Sequence, residues 1–301
     1  MHNELFTIGP FTVYGYGLMI AIGILAAYAM TEHLAKMRGL NPDRMFWLVI
    51  YALVFGFAGA KILYIITRIP DLASDPTILE DLADGWVIYG GIIGGILGIR
   101  VAAHVYKEAF FDYLDIAAPA VALAQGFGRI GCFLAGCCYG IEYDGIFSVT
   151  FHTSEYAPND VALLPTQLIS SALDFAHFIL LYQIFRKAKK RGLVIGTYLT
   201  CYSIGRFILE YFRGDLIRGT VGVFSTSQFI SFFICAAGVI ILFFTGKKGT
   251  LISYAGAAGQ MQAEESILCD DADAAQPQTD TEPQAAHAEV TADDSGCSEG
   301  F

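Results

Sequence analysis

Long apolar segments occupy most of the chain and limit what it can fold into. Seven of them are about 20 residues long, enough for an α-helix to cross roughly 30 Å of hydrocarbon. They span residues 11–31, 45–67, 86–106, 115–140, 166–185, 193–212 and 227–245. Only 16% of all residues are charged, against about 25% in typical soluble proteins. The sequence therefore predicts an all-α polytopic membrane protein with seven transmembrane helices, and it excludes a soluble enzyme or a nucleic-acid-binding domain.

The positions of the basic residues predict the orientation of these helices. Twelve of the 18 Lys and Arg residues fall on one side of the membrane if the chain crosses it seven times. Cytoplasmic loops carry an excess of Lys and Arg, so we expect the N-terminus outside and the C-terminus in the cytoplasm. The twelve are Lys36, Arg38, Arg44, Arg100, Lys107, Arg186, Lys187, Lys189, Lys190, Arg191, Lys247 and Lys248.

Acidic residues are concentrated at the C-terminal end. Residues 255–301 contain eleven Asp and Glu and no Lys or Arg, whereas residues 1–254 carry no net charge. This acidic stretch has too little apolar surface to offset the entropy lost on ordering, so we expect it to be disordered. We therefore divide the chain into a membrane domain, residues 1–250, and a disordered cytoplasmic tail, residues 251–301.

Four charged side chains within the apolar segments stand out: Lys61, Arg129, Arg206 and Glu210. An Arg near the centre of a membrane helix costs about 2.5–3.5 kcal/mol on insertion scales, so it must be compensated or used. Arg206 and Glu210 are four residues apart and share one helix face. Two arginines on different helices suit a phosphate, because their planar donors bind it in a bidentate way. The alternative is a neutralised Arg206–Glu210 pair that only holds the bundle together. Lys61 is expected to extend outward along its helix.

Other polar residues in these segments have simpler interpretations. Asp174 and His177 are three residues apart, and we expect them to pair with each other rather than to act in catalysis. Cys132, Cys137 and Cys138 are interpreted as buried inert thiols, because neighbouring cysteines without a second ligand pair are weak evidence of a metal site.

Glycines recur at every fourth position in the third segment. Gly90, Gly94 and Gly98 form this stripe, and small residues at that spacing let two helices approach closely in lipid. We therefore expect close helix packing there. Tyr89 opens the stripe, so its hydroxyl lies where the tight packing begins.

Five short motifs occur in order along residues 11–245. They are Tyr16-Gly17-Leu18-Met19, Tyr89-Gly90-Gly91-Ile92-Ile93-Gly94, Gly128-Arg129-Ile130-Gly131-Cys132-Phe133 leading to Gly140, Pro165-Thr166-Gln167-Leu168, and Gly205-Arg206-Phe207 through Glu210-Tyr211-Phe212-Arg213. In this order they resemble the bacterial prolipoprotein diacylglyceryl transferases. Each motif alone is weak evidence, but five in register on seven helices of the expected orientation are strong evidence.

The resemblance implies an activity and its partners. The chain would move the diacylglyceryl group of phosphatidylglycerol onto the lipobox cysteine in the signal peptide of a preprolipoprotein, releasing glycerol phosphate. It would lie in the bacterial cytoplasmic (inner) membrane. We expect no cofactor, no metal and no nucleic-acid partner.

The resemblance also implies roles for particular residues. Arg129 and Arg206 would bind the lipid phosphate and stabilise charge on the departing glycerol phosphate. Tyr16 and Tyr89 would line the head-group cavity, and Gly140 would leave room near the outer loops. The residues predicted to act in catalysis are Arg129, Arg206, Glu210 and Tyr89, and those predicted to bind substrate are Tyr16, Gly90, Gly91, Gly140 and the two arginines.

Three positions depart from the family pattern. His usually stands where this chain has Tyr89, and Asn is common at the positions of Cys132 and Ala135. That His is the obvious base for the acceptor thiol, whose unperturbed pKa is about 8.5. A tyrosine, with a pKa near 10, is a poor base but can donate a hydrogen bond to phosphate. Either the base is elsewhere, with Glu210 the first candidate, or the chain is a sister protein that binds phospholipid without transfer. A seven-helix receptor or transporter is the remaining alternative.

Overall fold

The computed structural model describes residues 4–8, 11–72, 85–215, 220–221 and 224–248. Within these ranges the chain forms seven long helices and three short antiparallel strand pairs. The helices are α1 (Gly15–Met37), α2 (Asp43–Leu72), α3 (Ile88–Val105), α4 (Phe110–Ala135), α5 (Thr166–Lys187), α6 (Leu193–Leu209) and α7 (Thr226–Lys248). The strand pairs are β1 (Glu4–Ile8) with β2 (Phe11–Tyr14), β3 (Val149–Thr150) with β4 (Ala162–Leu163), and β5 (Thr220–Val221) with β6 (Phe224–Ser225).

Six of the helices in the described ranges are long and apolar enough to cross a membrane. The exception is α6, which has 17 residues and continues as one turn of 3-10 helix, Glu210–Phe212. The all-α polytopic membrane class is therefore confirmed. A seventh crossing by α6 and the orientation of the bundle stay predictions. The predicted tail, residues 251–301, lies outside the described residues.

The predicted limits of the fourth segment, residues 115–140, are wrong by five residues at each end, because α4 runs from Phe110 to Ala135. Its first turns carry Asp112 and Asp115, which are buried and paired rather than exposed in a loop. The helix ends at Gly136, whose backbone adopts a left-handed conformation with φ of 73°. A Cβ at Gly136 would also overlap Ser154, so the space and the backbone angle both require glycine.

The helices pack mainly as four pairs, α2 with α3, α1 with α4, α4 with α5, and α6 with α7. Apolar side chains from six helices, α1 to α6, meet in one core, near the end where α1 finishes and α6 begins. Leu34, Met45, Tyr113, Leu181 and Val194 are fully buried there. This core joins the pairs into one bundle.

Glycine contacts hold α2 and α3 together, as the glycine stripe predicted. A Cβ at Gly90, Gly94 or Gly98 would overlap a backbone carbonyl oxygen of α2. The neighbouring Gly95 has more space, because a Cβ there would lie 3.7 Å from the nearest atom. The close approach of the α2 and α3 backbones thus depends on the glycines on one face of α3.

We expect Gly94→Ala to disrupt this pair and Gly95→Ala to be tolerated. The first adds a methyl group where Phe55 already lies, and overpacking of this kind costs about 1–3 kcal/mol. The second places the same methyl group on the same helix at ordinary van der Waals distance from its nearest neighbour, Ala52. Thermal unfolding of the two variants in detergent measures the difference, and equal midpoints would contradict the packing argument.

A buried ion cluster lies at the end of the bundle where α4 begins. Arg38 is 2% exposed in its side chain and lies 3.4 Å from Asp115 and 3.8 Å from Asp112. Arg191 lies 2.9 Å from Asp112, and the Arg38 guanidinium stacks 4.0 Å above the ring of Phe185. Arg38 and Arg191 were counted as loop bases in the sequence, but the structure pairs both with α4.

The same cluster supports the start of α6. Asp115 accepts hydrogen bonds from the backbone N–H groups of Gly192, at 2.8 Å, and Ile195, at 2.9 Å. The first N–H groups of a helix have no partner within the helix, so this carboxylate from α4 caps α6. The side chain of Asp115 is fully buried, with both oxygens occupied.

Replacing Asp115 by Asn should destabilise the bundle by about 3 kcal/mol, because it leaves the Arg38 charge under-compensated in a buried site. The matched control is Glu32→Gln, which breaks an exposed pair with Lys36 one turn away. Unfolding midpoints followed by size-exclusion fluorescence in detergent should fall for the first variant and stay unchanged for the second. An unchanged midpoint for both would show that the cluster contributes no stability.

Candidate active site

A cavity of about 270 Å³ lies between α5 and α6 and is closed on one side by α4. It contains both of the arginines singled out in the sequence, which come from α4 and α6. Its polar lining comprises Arg129, Ser170, Asp174, His177, Tyr202 and Arg206. One water molecule takes up about 30 Å³ in the liquid, so a cavity of this volume holds a small polar group but not a pair of acyl chains.

The cavity opens sideways between α5 and α6. The apolar residues at its rim, Leu173 and Leu180, are 50% and 43% exposed, and Cys201 is exposed beside them. In a membrane, exposed apolar side chains of this kind face lipid. A polar group can therefore occupy the cavity while the chains attached to it remain in the bilayer.

Arg206 is held in a network with Glu210 and the start of α7. Its Nη1 lies 2.7 Å from Glu210, as the four-residue spacing predicted, and its Nη2 donates to Ser227 at 3.0 Å. The hydroxyl of Ser225 donates to the other oxygen of Glu210 at 2.9 Å. Both charged side chains are only slightly exposed, at 13% and 11%. The network therefore orients the Arg206 guanidinium toward the cavity.

Arg129 differs from Arg206 because it has no such partner. Among the described residues, no carboxylate oxygen lies within 4.0 Å of the Arg129 guanidinium, the limiting distance for an ion pair. Asp174 interacts with it at longer range. Arg129 is thus a cation that lines a cavity without a paired anion.

Arg213 is a third arginine near the site; it ends the fifth sequence motif but was not predicted to act there. It is buried and donates two parallel hydrogen bonds to Asp215, at 2.8 and 2.6 Å. Burial opposes its charge, but the Asp215 pair outweighs burial and raises the pKa of Arg213, so the guanidinium stays charged. Arg213 also acts electrostatically on Arg206. The signal available in the sequence was Asp215, which follows Arg213 by two residues and can pair with it.

Gly140 lies in the scaffold behind these arginines. Its N–H donates to the carbonyl of Leu164 at 3.1 Å, and it forms an antiparallel bridge with Arg213. A Cβ at Gly140 would overlap the Leu164 carbonyl, so glycine lets three backbone segments meet. Its predicted contact with substrate stays a prediction.

Asp174 and His177 do not pair with each other, so that expectation is wrong. The His177 ring instead stacks on Tyr198 of α6, with 5.4 Å between ring centroids. Its buried Nε2 has no hydrogen-bond partner among the described residues. His177 therefore stacks across the helix interface instead of pairing with Asp174. Both Asp174 and His177 line the cavity.

The remaining predicted site residues lie on α1 and α3. Tyr16 packs on Gly131 of α4 and interacts electrostatically with Arg129. Tyr89 is half-buried in the first turn of α3. Gly90 and Gly91 face α2. The lining of the cavity between α5 and α6 includes none of these four residues, so their roles stay predictions.

Lys61 reaches the start of α3, as its position late in α2 suggested. Its ammonium donates to the carbonyl of Gly85 at 3.3 Å and lies 4.9 Å from the centre of the Trp86 ring. Gly85 and Trp86 lie just before the first residue of α3, and Trp86 is exposed. The Lys61 charge therefore lies near the end of the helices rather than at their middle.

Comparison with known proteins identifies the family. The family model for prolipoprotein diacylglyceryl transferase matches residues 3–244. The chain belongs to the prolipoprotein diacylglyceryl transferase family. A phosphatidylglycerol–prolipoprotein diacylglyceryl transferase of Clostridium tetani is 46% identical over 80% of this chain and 96% of its own length. A second enzyme of this name from Clostridium perfringens is 43% identical over 79% and 93%, and one from Staphylococcus haemolyticus is 32% identical over 81% and 88%.

In this member of the prolipoprotein diacylglyceryl transferase family, the cavity has the chemistry of an anion site. It combines one unpaired guanidinium, Arg129, with one oriented guanidinium, Arg206. Planar guanidinium groups bind phosphate oxygens bidentately, and in a site of low dielectric they also stabilise charge that develops on a leaving group.

Proposed function

We propose that this chain transfers the diacylglyceryl group of phosphatidylglycerol to the lipobox cysteine of preprolipoproteins, releasing glycerol phosphate. Membership of the family and the names of its relatives support this function. The observation that carries it is Arg129, which lines a cavity with an exposed apolar rim and has no carboxylate within ion-pair distance among the described residues. A phosphodiester head group in the cavity would supply the missing anion.

The two arginines bind the phosphate of phosphatidylglycerol, and the acyl chains stay in the bilayer outside the opening. The acceptor sulfur attacks the diacylglycerol carbon that carries the phosphate ester. A carbon–sulfur bond forms as the carbon–oxygen bond breaks, and the bond electrons leave with glycerol phosphate. Arg129 and Arg206 stabilise the charge on that leaving group.

Glu210 is our candidate for the group that accepts the thiol proton. In the structure its carboxylate is engaged by Arg206 and Ser225. When the lipid phosphate takes up the donors of Arg206, it weakens that ion pair and makes Glu210 a better base. Phosphate binding and thiol activation are coupled in this way. We keep Tyr16, Tyr89, Gly90, Gly91 and Gly140 as candidate contacts of the substrate outside this cavity, because its lining includes none of them.

Arg129→Lys and Arg206→Lys should each reduce transfer at least tenfold, or about 1.4 kcal/mol of transition-state stabilisation. Lysine keeps the charge but loses the bidentate geometry. The control is Arg44→Lys, which changes an arginine paired with Glu108 outside this cavity. The assay uses purified full-length protein, phosphatidylglycerol and a lipobox peptide. Full activity in both site variants would refute the phosphate-site assignment.

Glu210→Gln should also reduce transfer, because it preserves the side-chain shape and removes the carboxylate. A parallel Tyr89→Phe variant tests the position where the family usually has His. A modest loss would assign Tyr89 to head-group binding, and a collapse would give it the role of that His. If Glu210→Gln keeps wild-type activity, Glu210 is neither the base nor the residue that orients Arg206.

Lipid binding without transfer is the second candidate function, favoured by Tyr89 in place of the family's usual His. The two functions differ in a single measurement on the unmodified protein. Complementation of a strain depleted of its own transferase requires transfer, whereas a lipid-binding protein would retain phosphatidylglycerol without restoring growth.

We also propose that all seven helices cross the inner membrane, with the N-terminus outside and the acidic residues 251–301 in the cytoplasm. Twelve basic residues on one side support this orientation. A reporter fused after Lys248 should be active only in the cytoplasm, and one inserted in residues 141–165 only outside. Reversed activities would overturn the orientation.

A further inference from the structure

Three thiols lie together at the end of α4. The sulfur atoms of Cys132, Cys137 and Cys138 are all within 4.8 Å of one another, and all three residues are partly buried. We propose that these three cysteines form a binding site for a thiophilic d10 cation such as Zn²⁺. The structure thus brings together three thiols that the sequence led us to interpret as inert.

The way α4 ends brings two of the sulfurs together. Gly136 donates to the carbonyl of Phe133, and Cys137 donates to the carbonyl of Cys132, both at 3.1 Å. This pair of hydrogen bonds around a left-handed glycine is the Schellman motif. The motif places the side chain just after the helix against the one in its last turn. Here those two side chains are Cys137 and Cys132.

The third sulfur joins them because the backbone turns back at Cys138. Its φ of 59° is a left-handed value, which costs about 1–3 kcal/mol in a residue other than glycine. Two buried side chains at the start of α5 hold this turn. Gln167 donates to the carbonyl of Cys137 at 2.9 Å, and Thr166 donates to that of Cys138 at 3.0 Å. The cysteines are therefore held in place by the fold rather than by a flexible loop.

The spacing and charge of the cluster suit a soft cation. Zn²⁺ binds thiolate sulfur at about 2.3 Å, which puts the sulfurs of a shared ion about 4 Å apart. Thiolate ligands favour Zn²⁺ and Cu⁺ over Mg²⁺ or Ca²⁺. Three protein ligands leave one coordination position for water or another ligand.

Cadmium titration of the full-length protein tests the site, because cadmium–thiolate bonds absorb in the ultraviolet. Reduced, metal-free protein in detergent should bind one Cd²⁺ with high affinity, and Zn²⁺ in large excess should compete for the same site. Cys132→Ser and Cys137→Ser should each weaken binding at least about 100-fold, the upper end of what losing an outer-shell partner costs. The matched control replaces Cys201, Cys235, Cys269 and Cys297 by Ser and keeps the cluster, so its binding should equal that of the unmodified chain.

A second measurement does not depend on how well the variants insert. Bound Cd²⁺ should protect Cys132, Cys137 and Cys138 of the unmodified protein from alkylation, as mapped by mass spectrometry, while Cys201 still reacts. Equal alkylation with and without Cd²⁺, or retention of the absorption when the cluster is removed, would overturn the proposal. So would loss of two thiols to an internal disulfide with no metal bound. None of these readouts uses transfer activity, so the site and the proposed function can fail independently.

Discussion

A charge inside a bilayer must have a partner, and the packing of this protein follows from that constraint. Removing an ionised group from water costs several kcal/mol even after the protein relaxes, unless an opposite charge and hydrogen bonds compensate for it. At one end of the bundle Arg38 meets the carboxylates of α4. Between α5 and α6, Arg206 meets Glu210. Arg129 is the exception, because it lines the cavity without a carboxylate within ion-pair distance among the described residues.

The two ion clusters differ in what surrounds them. This difference indicates which cluster stabilises the bundle and which one can bind a ligand. Around Asp115 every contact is internal, because both oxygens are taken by Arg38 and by the first N–H groups of α6. Around Arg206 one side of the network faces a cavity that opens toward lipid. A sealed cluster can only stabilise the bundle. A cluster beside an open cavity and an unpaired Arg129 can bind an anionic head group.

The packing of α4 connects these regions. Its first turns supply Asp112 and Asp115 to the sealed cluster, its second half supplies Arg129 to the cavity, and its end supplies Cys132 to the group of thiols. Glycine at its C-terminus reverses the chain and directs it back along the bundle. The same helix, α4, therefore contributes residues to the buried ion cluster, to the candidate phosphate site and to the thiol cluster.

Hydropathy, glycine spacing and the four-residue interval of Arg206 and Glu210 were sufficient to predict the membrane class, a close helix contact at the glycine stripe of α3, and one ion pair. These features are local, because a helix repeats every 3.6 residues whatever packs against it. Contacts between helices were not predictable in the same way. The burial of Asp115 beside Arg38 and the stacking of His177 on Tyr198 depend on which helix faces join. Such partners are separated by tens of residues, so only the tertiary structure brings them together.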